Sequence, residues 1–335
     1  MNGRSAGDTA AIEVRGLRKS YGEHVVLDGI DFEVAAGTVF ALLGPNGAGK
    51  TTTVQILSTL IPADGGEVRV AGHDVANNAD DVRHAIGVTG QVSAVDGLFT
   101  GAENLRLMAS LLHLGRAEAS AKVQGLLEQF ELVDAADKPA STYSGGMRRR
   151  LDLAMTLMGD PQIIFLDEPT TGLDPRSRRT MWQIVRELVS RGVTILLTTQ
   201  YLEEADRLAG RIALLDEGKI IASGTPAELK RLVSGGSVRL QFPDEQELDR
   251  AARALGGTRD EESFALRVSS ATDPRSLRSL LDQLDREHIH VDGLSTEAAD
   301  LDDVFLALTS GEARRSRAAQ SPEGATQANE RITVQ

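Results

Sequence analysis

Residues 39–60 constrain this chain more than any other stretch. Val39-Phe40-Ala41-Leu42-Leu43 is a short apolar run of strand type. It leads into Gly44-Pro45-Asn46-Gly47-Ala48-Gly49-Lys50-Thr51 and then a helical stretch from Thr52 to Leu60. The spacing is G-x-x-x-x-G-K-[ST] in a strand–loop–helix setting. Glycines let such a loop wrap closely around a triphosphate, so that backbone N–H groups and the helix N-terminus point at the anion. Lys50 then places a cation between the β- and γ-phosphates. The Thr51 hydroxyl completes a Mg²⁺ shell, with Thr52 beside it. A nucleoside triphosphate with Mg²⁺ is the expected ligand.

A phosphate loop alone does not say what the nucleotide is for. The second half of the machinery is Gln162-Ile163-Ile164-Phe165-Leu166-Asp167-Glu168, where four apolar residues predict a buried strand ending in two carboxylates. Open α/β sheets bind ligands at that end of their strands. Asp167 is placed to hold Mg²⁺, directly or through water. Glu168 follows it and is expected to point to the opposite side, where it could polarise an attacking water.

Short apolar runs (Val39–Leu43, Ile163–Leu166, Val193–Thr198, Ile212–Leu215) alternate with helical stretches, the pattern of strands buried in a mostly parallel sheet. We expect a flexible N-terminus over residues 1–10 and a nucleotide-binding domain over 11–234, followed by the linker-like Ser234-Gly235-Gly236-Ser237. A small α/β domain is predicted over 238–310. Val238–Phe242 and Phe264–Val268 alternate with period two. Leu248/Ala251/Ala252/Leu255, Leu277/Leu280/Leu281/Leu284 and Leu301/Val304/Phe305/Leu308 fall at helical spacing. Residues 311–335 have the composition of a disordered tail.

Composition narrows the function classes. The net charge of −13 disfavours non-specific nucleic-acid binding, which relies on clustered cations, so no nucleic-acid partner is expected. One Trp, three Tyr and eight Phe leave little aromatic surface for stacking on bases. No apolar run approaches the ~18–20 residues of a membrane-spanning helix. The N-terminal residues lack the apolar core of a secretory signal, so a cytosolic location is expected. With no cysteine, thiolate metal sites are excluded, and the six histidines show no zinc-ligand spacing. Arg148-Arg149-Arg150 and the cluster from Arg176 to Arg179 read as solvated helix faces.

Between the two motifs, Tyr143-Ser144-Gly145-Gly146-Met147-Arg148 opens a helix about twenty residues before the Asp167-Glu168 strand. Here the chain resembles the ATP-binding cassette (ABC) family, whose signature is typically Leu-Ser-Gly-Gly-Gln. Ser144 is a good N-cap, and Gly145-Gly146 permit close backbone approach to an anion. The resemblance covers Ile12 to about Leu232. It implies ATP hydrolysis and a P-loop domain with a mostly parallel core sheet, an antiparallel β subdomain and a helical subdomain. It also implies that Tyr21 stacks on adenine, that Gln91 touches Mg²⁺ and senses a membrane partner, and that Asp174, in Thr171-Gly172-Leu173-Asp174, belongs to the loop between paired subunits. Such subunits pair head to tail, each ATP lying between the phosphate loop of one chain and the Ser144-Gly145-Gly146 helix of the other. One cassette therefore needs a second, most simply another copy of itself.

The sequence departs from the family pattern at Tyr143 and Met147, and at Gln200, where the family usually has a histidine. A Gln amide can donate to the γ-phosphate but cannot carry a proton. Thr198-Thr199-Gln200-Tyr201-Leu202-Glu203-Glu204-Ala205 and Leu301-Asp302-Asp303-Val304-Phe305-Leu306 are similar to the daunorubicin-resistance type of drug-export ATPase. Gly97 to Leu105 resembles the segment that receives the membrane subunit. These resemblances imply a separately encoded polytopic permease and a place at the cytoplasmic face of the membrane. The last stretch reads equally as an assembly element or as a plain amphipathic helix. A soluble ABC ATPase, a slow-turnover ATP-gated assembly module and an importer subunit stay open as alternatives.

Overall fold

The apolar runs become the centre of a sheet. In chain order the elements of the first unit are β1 (Ala10–Tyr21), β2 (His24–Ala35), β3 (Val39–Leu43), α1 (Lys50–Leu57), β4 (Gly65–Val70) and β5 (His73–Asp74). They continue with α2 (Ala79–Ala85), β6 (Ile86–Thr89), α3 (Gly101–Leu111), α4 (Arg116–Gln129), α5 (Gly145–Thr156) and β7 (Ile163–Asp167). The unit closes with α6 (Pro175–Ser190), β8 (Thr194–Thr199), α7 (Leu202–Leu208), β9 (Arg211–Asp216) and β10 (Lys219–Gly224). This computed structural model describes residues 10–90, 93–232, 237–261, 263–269, 274–297 and 300–309. The expectations for residues 1–9, for Gln91, for Ser234 to Gly236 and for the tail fall outside them.

β3, β7 and β8 are buried at every residue, as strands covered on both faces must be. They lie in a six-stranded sheet of order β10-β9-β3-β8-β7-β6, parallel except for β10 on β9. A second, antiparallel sheet of order β2-β1-β4-β5 shares its core: Ile12, Val14, Leu17, Leu27 and Ile30 join Leu42, Val54, Ile56 and Phe165. Phe32 and Phe40 stack across the two sheets with ring centroids 5.2 Å apart. Helices α3, α4 and α5 form the helical part. α3 begins with a reciprocal capping box between Thr100 and Glu103. The expected parallel core sheet, antiparallel sheet and helical subdomain are all present.

The chain divides into two compact units between Pro226 and Ala227, within α8 (Pro226–Lys230). That lies upstream of the boundary expected at Ser234. The second unit carries β11 (Ser237–Gln241), α9 (Glu245–Leu255), β12 (Thr258–Asp260), β13 (Ala265–Ser269), α10 (Pro274–Arg286), β14 (Gly293–Glu297) and α11 (Leu301–Thr309). Its sheet is antiparallel with order β12-β13-β11-β14. Val238, Leu240, Phe242, Leu266 and Val268 pack with Leu248, Ala251, Leu280 and Leu284 of the helices. Arg267 of β13 pairs with Asp300 and Asp303 at 3.0 and 3.2 Å, which fixes the start of α11. Among the described residues no helix is long and apolar enough to cross a membrane.

Candidate active site

Strand order decides what meets at the carboxyl end of the main sheet. β8 lies between β3 and β7, so the residues after these strands, Gly44, Gln200 and Glu168, emerge side by side. Two backbone bonds fix the arrangement: Gly44 N donates to Thr199 O at 3.3 Å, and Glu168 N donates to Thr198 O at 3.1 Å. Gln200 directly follows β8 and is half-buried.

The phosphate loop runs from Gly44 through Pro45, Asn46, Gly47 and Ala48 to Gly49. Gly49, with φ 107°, caps α1 at its N-terminus. A Cβ there would lie 2.6 Å from Leu27 Cδ2 and 2.9 Å from Val26 O, so only glycine lets the loop lie against β2. Lys50 is the first helical residue. Its ammonium donates to Gly44 O at 2.8 Å and Pro45 O at 3.0 Å, and lies 3.5 Å from Glu168 Oε1. Burial lowers its pKa below the ordinary lysine value, while Glu168 and then Asp167 pull it back up. The loop thus presents a nearly dry cation. Thr51 and Thr52 follow on the first turn, both half-buried.

Asp167 is the last residue of β7 and only 3% exposed. The Thr198 hydroxyl donates to its carboxylate and also accepts from Glu168 N at 3.2 Å. Glu168 does not continue the strand. Its φ is 49°, a left-handed conformation that costs a non-glycine residue about 1 kcal/mol or more. The strand's alternation therefore stops, and the Glu168 carboxylate turns toward Lys50 instead of the far side expected from a period of two. Thr171 Oγ1 donates to its other oxygen at 3.3 Å. The Thr51 hydroxyl and the buried Asp167 carboxylate are hard oxygen donors beside a phosphate loop, a set that fits Mg²⁺. Among the described residues there is no cluster of three or more His, Asp or Glu that could hold a metal on its own.

The signature residues form a separate group. Tyr143 is buried and donates to Ala135 O at 2.7 Å, so the departure from Leu serves packing. Ser144 caps α5 by accepting from Met147 N at 3.2 Å. A Cβ at Gly145 would meet Leu173, and one at Gly146 would meet Ser177. Asp174 is the N-cap of α6 and accepts from Arg176 N, Ser177 N and Ser177 Oγ at 2.9, 2.9 and 2.6 Å. These bonds hold its pKa below the usual carboxylate value, with the Ser177 hydroxyl the largest cause. Tyr21 ends β1 and is 52% exposed, and Lys19 Nζ lies 5.5 Å from its ring centroid.

A match to the family model described as ABC transporter spans residues 27–171. The daunorubicin resistance ATP-binding protein DrrA2 of Streptomyces coeruleorubidus is 48% identical over 308 residues, covering 90% of this chain and 96% of that protein. The chain belongs to the ABC transporter family. The Nod factor export ATP-binding protein I of Ralstonia nicotianae is 40% identical, over 93% of this chain and 98% of its own length. Among solved structures, an ATP-binding subunit of an ABC transporter superposes with TM-score 0.60 at 28% identity, over 67% of this chain and 93% of that one. A dimeric ATP-binding cassette bound to ADP and phosphate in a post-hydrolysis state gives TM-score 0.58 at 25% identity, over 64% of this chain and 98% of that one.

The ABC architecture also exposes a residue that sequence reasoning set aside. The basic run after the signature is not a solvated helix face throughout, because the Arg149 side chain is only 10% exposed. Its Nε donates to Pro169 O at 3.0 Å, Nη2 to Asp167 O at 3.0 Å and Nη1 to Gly90 O at 2.6 Å. Asp152, one turn on, lies 3.4 Å from Nη1 and accepts from Ala94 N at 3.1 Å. Arg148 reaches Ala140 O at 3.3 Å, and Arg150 pairs with Glu131 at 2.9 Å. The signal available in the sequence is Asp152 itself, an acid set between Leu151 and Leu153 in the apolar second half of α5.

Proposed function

We propose that this ABC protein is the ATP-hydrolysing subunit of an exporter, acting as a head-to-tail homodimer on a separately encoded membrane permease at the cytoplasmic face. The observation that carries the ATPase reading is the meeting of Lys50, Asp167 and Glu168 at one end of the sheet. The names of the relatives, resistance to daunorubicin and export of Nod factor, support export, with a drug or antibiotic as cargo.

In this reading ATP hydrolyses to ADP and phosphate. The terminal phosphates compete with Gly44 O, Pro45 O and Glu168 for the Lys50 ammonium, offering it anionic acceptors in place of neutral carbonyls. Drawing Lys50 away releases the Glu168 carboxylate to accept a proton from the attacking water. Gln200 orients the γ-phosphate and water by its amide. Thr51, Asp167 and Gln91 would hold Mg²⁺, which neutralises charge on the phosphate oxygens when bound. Ser144, Gly145 and Gly146 serve the nucleotide of the opposing chain, Asp174 lies at the same contact, and Tyr21 receives the adenine.

The test is purification of tagged Glu168→Gln from its native membranes with MgATP, beside turnover of the parent, Glu168→Gln and Gln200→Ala chains. Recovery of a polytopic membrane protein in near-equal amount, with turnover lost in Glu168→Gln, is expected. A chain that brings down only ribosomes, nucleic acid or itself refutes the exporter reading and leaves the ATPase. Unchanged turnover in Gln200→Ala removes Gln200 from the machinery.

A further inference from the structure

Arg149 occupies a place that its helix position alone does not explain. It stands on α5, the helix that Ser144 caps, yet its guanidinium leaves that helix and grips three backbone oxygens in two other segments. Two of them, Asp167 O and Pro169 O, bracket Glu168. The third, Gly90 O, lies just past β6, the strand beside β7. Planar guanidinium is suited to this, because its fork of fixed donors sets several acceptors at once, whereas an ammonium is a single point. Glu168 needs such a grip. Its left-handed backbone is a conformation that glutamate does not favour, and it persists only where neighbours over-determine it. On one side Thr198 supplies that restraint through Glu168 N, and Arg149 supplies it on the other.

We infer that Arg149 is a positioning residue for the reaction: by holding the backbone on both sides of Glu168 it sets the Asp167 and Glu168 carboxylates, and it ties them rigidly to the signature helix. Asp152 keeps the guanidinium aimed by pairing with Nη1, and also anchors Ala94 N. The role runs through the backbone oxygens and the Asp152 carboxylate that Arg149 holds. It rests on the ATPase reading above, since the carboxylates it sets are the ones placed there in charge of water and metal.

The experiment uses the full chain as parent, Arg149→Gln, Arg149→Lys and Asp152→Asn, with three readouts. Steady-state turnover gives kcat, titration with the non-hydrolysable analogue AMP-PNP and Mg²⁺ gives Kd, and hydrogen exchange reports on the peptide spanning 163–172. In Arg149→Gln we expect kcat to fall at least tenfold while Kd changes less than threefold, because the phosphate loop is untouched. Exchange should rise in the 163–172 peptide and stay as in the parent over β3. Arg149→Lys, which can reach only part of the acceptor set, should recover part of the kcat. A kcat within twofold of the parent, or kcat and Kd falling by the same factor with protection lost everywhere, overturns the inference. If Arg149→Gln does not fold, Asp152→Asn decides: kcat lowered threefold or more at unchanged Kd supports the assignment, and an unchanged kcat overturns it. A parent that binds AMP-PNP but never turns over ATP refutes the ATPase reading itself, and the positioning role falls with it.

Discussion

Replacing Gly146 by alanine tests how tightly the signature helix is seated on α6. A Cβ at Gly146 would lie 2.5 Å from Ser177 Oγ and 2.9 Å from Ser177 Cβ. Carbon contacts settle near 3.5–4.0 Å, so α5 and α6 have to part by about 1 Å. Ser177 cannot simply swing aside, because its hydroxyl donates to Asp174 at 2.6 Å within the α6 cap. Over-packing of this kind costs ~1–3 kcal/mol, and removing a helical glycine returns at most ~1 kcal/mol, so the net loss is ~0–3 kcal/mol. In a Ser177→Gly background both clashing atoms are gone. The same substitution then becomes neutral or stabilising by up to ~1 kcal/mol. Urea unfolding of the four chains should therefore give a coupling of ~1 kcal/mol or more. Turnover of Gly146→Ala should fall by as much as ~100-fold, the scale of a misplacement of about 1 Å, and recover in the double variant. A cycle that adds within ~0.3 kcal/mol would refute the seating of Gly146 on Ser177.

Tyr21→Ala should weaken AMP-PNP binding by ~5-fold or more, since stacking of a base on an aromatic ring is worth ~1–3 kcal/mol, with the lower end expected for a half-exposed ring. Unchanged Kd would remove Tyr21 from the nucleotide site. Glu204 is buried beside Trp182, whose Nε1 donates to it at 3.1 Å, and burial raises its pKa against the opposing pull of that donor and of the neighbouring Thr199 and Thr170. A raised carboxyl contributes stability that is full below the unfolded pKa of about 4.3 and lost as pH rises through the folded value. Glu204→Gln stays neutral and keeps the acceptor for Trp182. It should melt like the parent near pH 4 and above it at pH 8, by ~2–4 °C for each kcal/mol recovered. A lower Tm than the parent at pH 8 would contradict this.

What the sequence revealed and what it hid have a common physical basis. β3 and β7 were legible because strands covered on both faces are continuous apolar runs, and the glycines and Lys50 after β3 admit few other uses. Glu168 was assigned to the far side of its strand because alternation was extended one residue too far. The strand ends at Asp167, and no residue type in the local sequence marks the left-handed turn that follows. Arg149 was hidden by averaging: three arginines in a row look solvated, although a helix turns each to a different neighbour. The Gly- and Ser-rich composition points to a boundary at Ser234, and the compact units divide between Pro226 and Ala227, within α8. β12 is the wholly polar Thr258-Arg259-Asp260 and β14, Gly293-Leu294-Ser295-Thr296-Glu297, holds a single large apolar residue, so periodicity has nothing to detect.

Because Gly49 has no side chain, the phosphate loop rests directly on the backbone of β2, the strand that turns back at Gly22 toward Tyr21. Tyr21 and the phosphate loop are then two ends of one packed body, joined through main chain. In the nucleotide reading, such a body gauges its ligand like a calliper of fixed opening. A purine lying on Tyr21 must carry its own last phosphate as far as Lys50, for the loop has no slack to come and meet it. On that reading, the length of the phosphate chain, and not the identity of the base, is the quantity this end of the molecule measures.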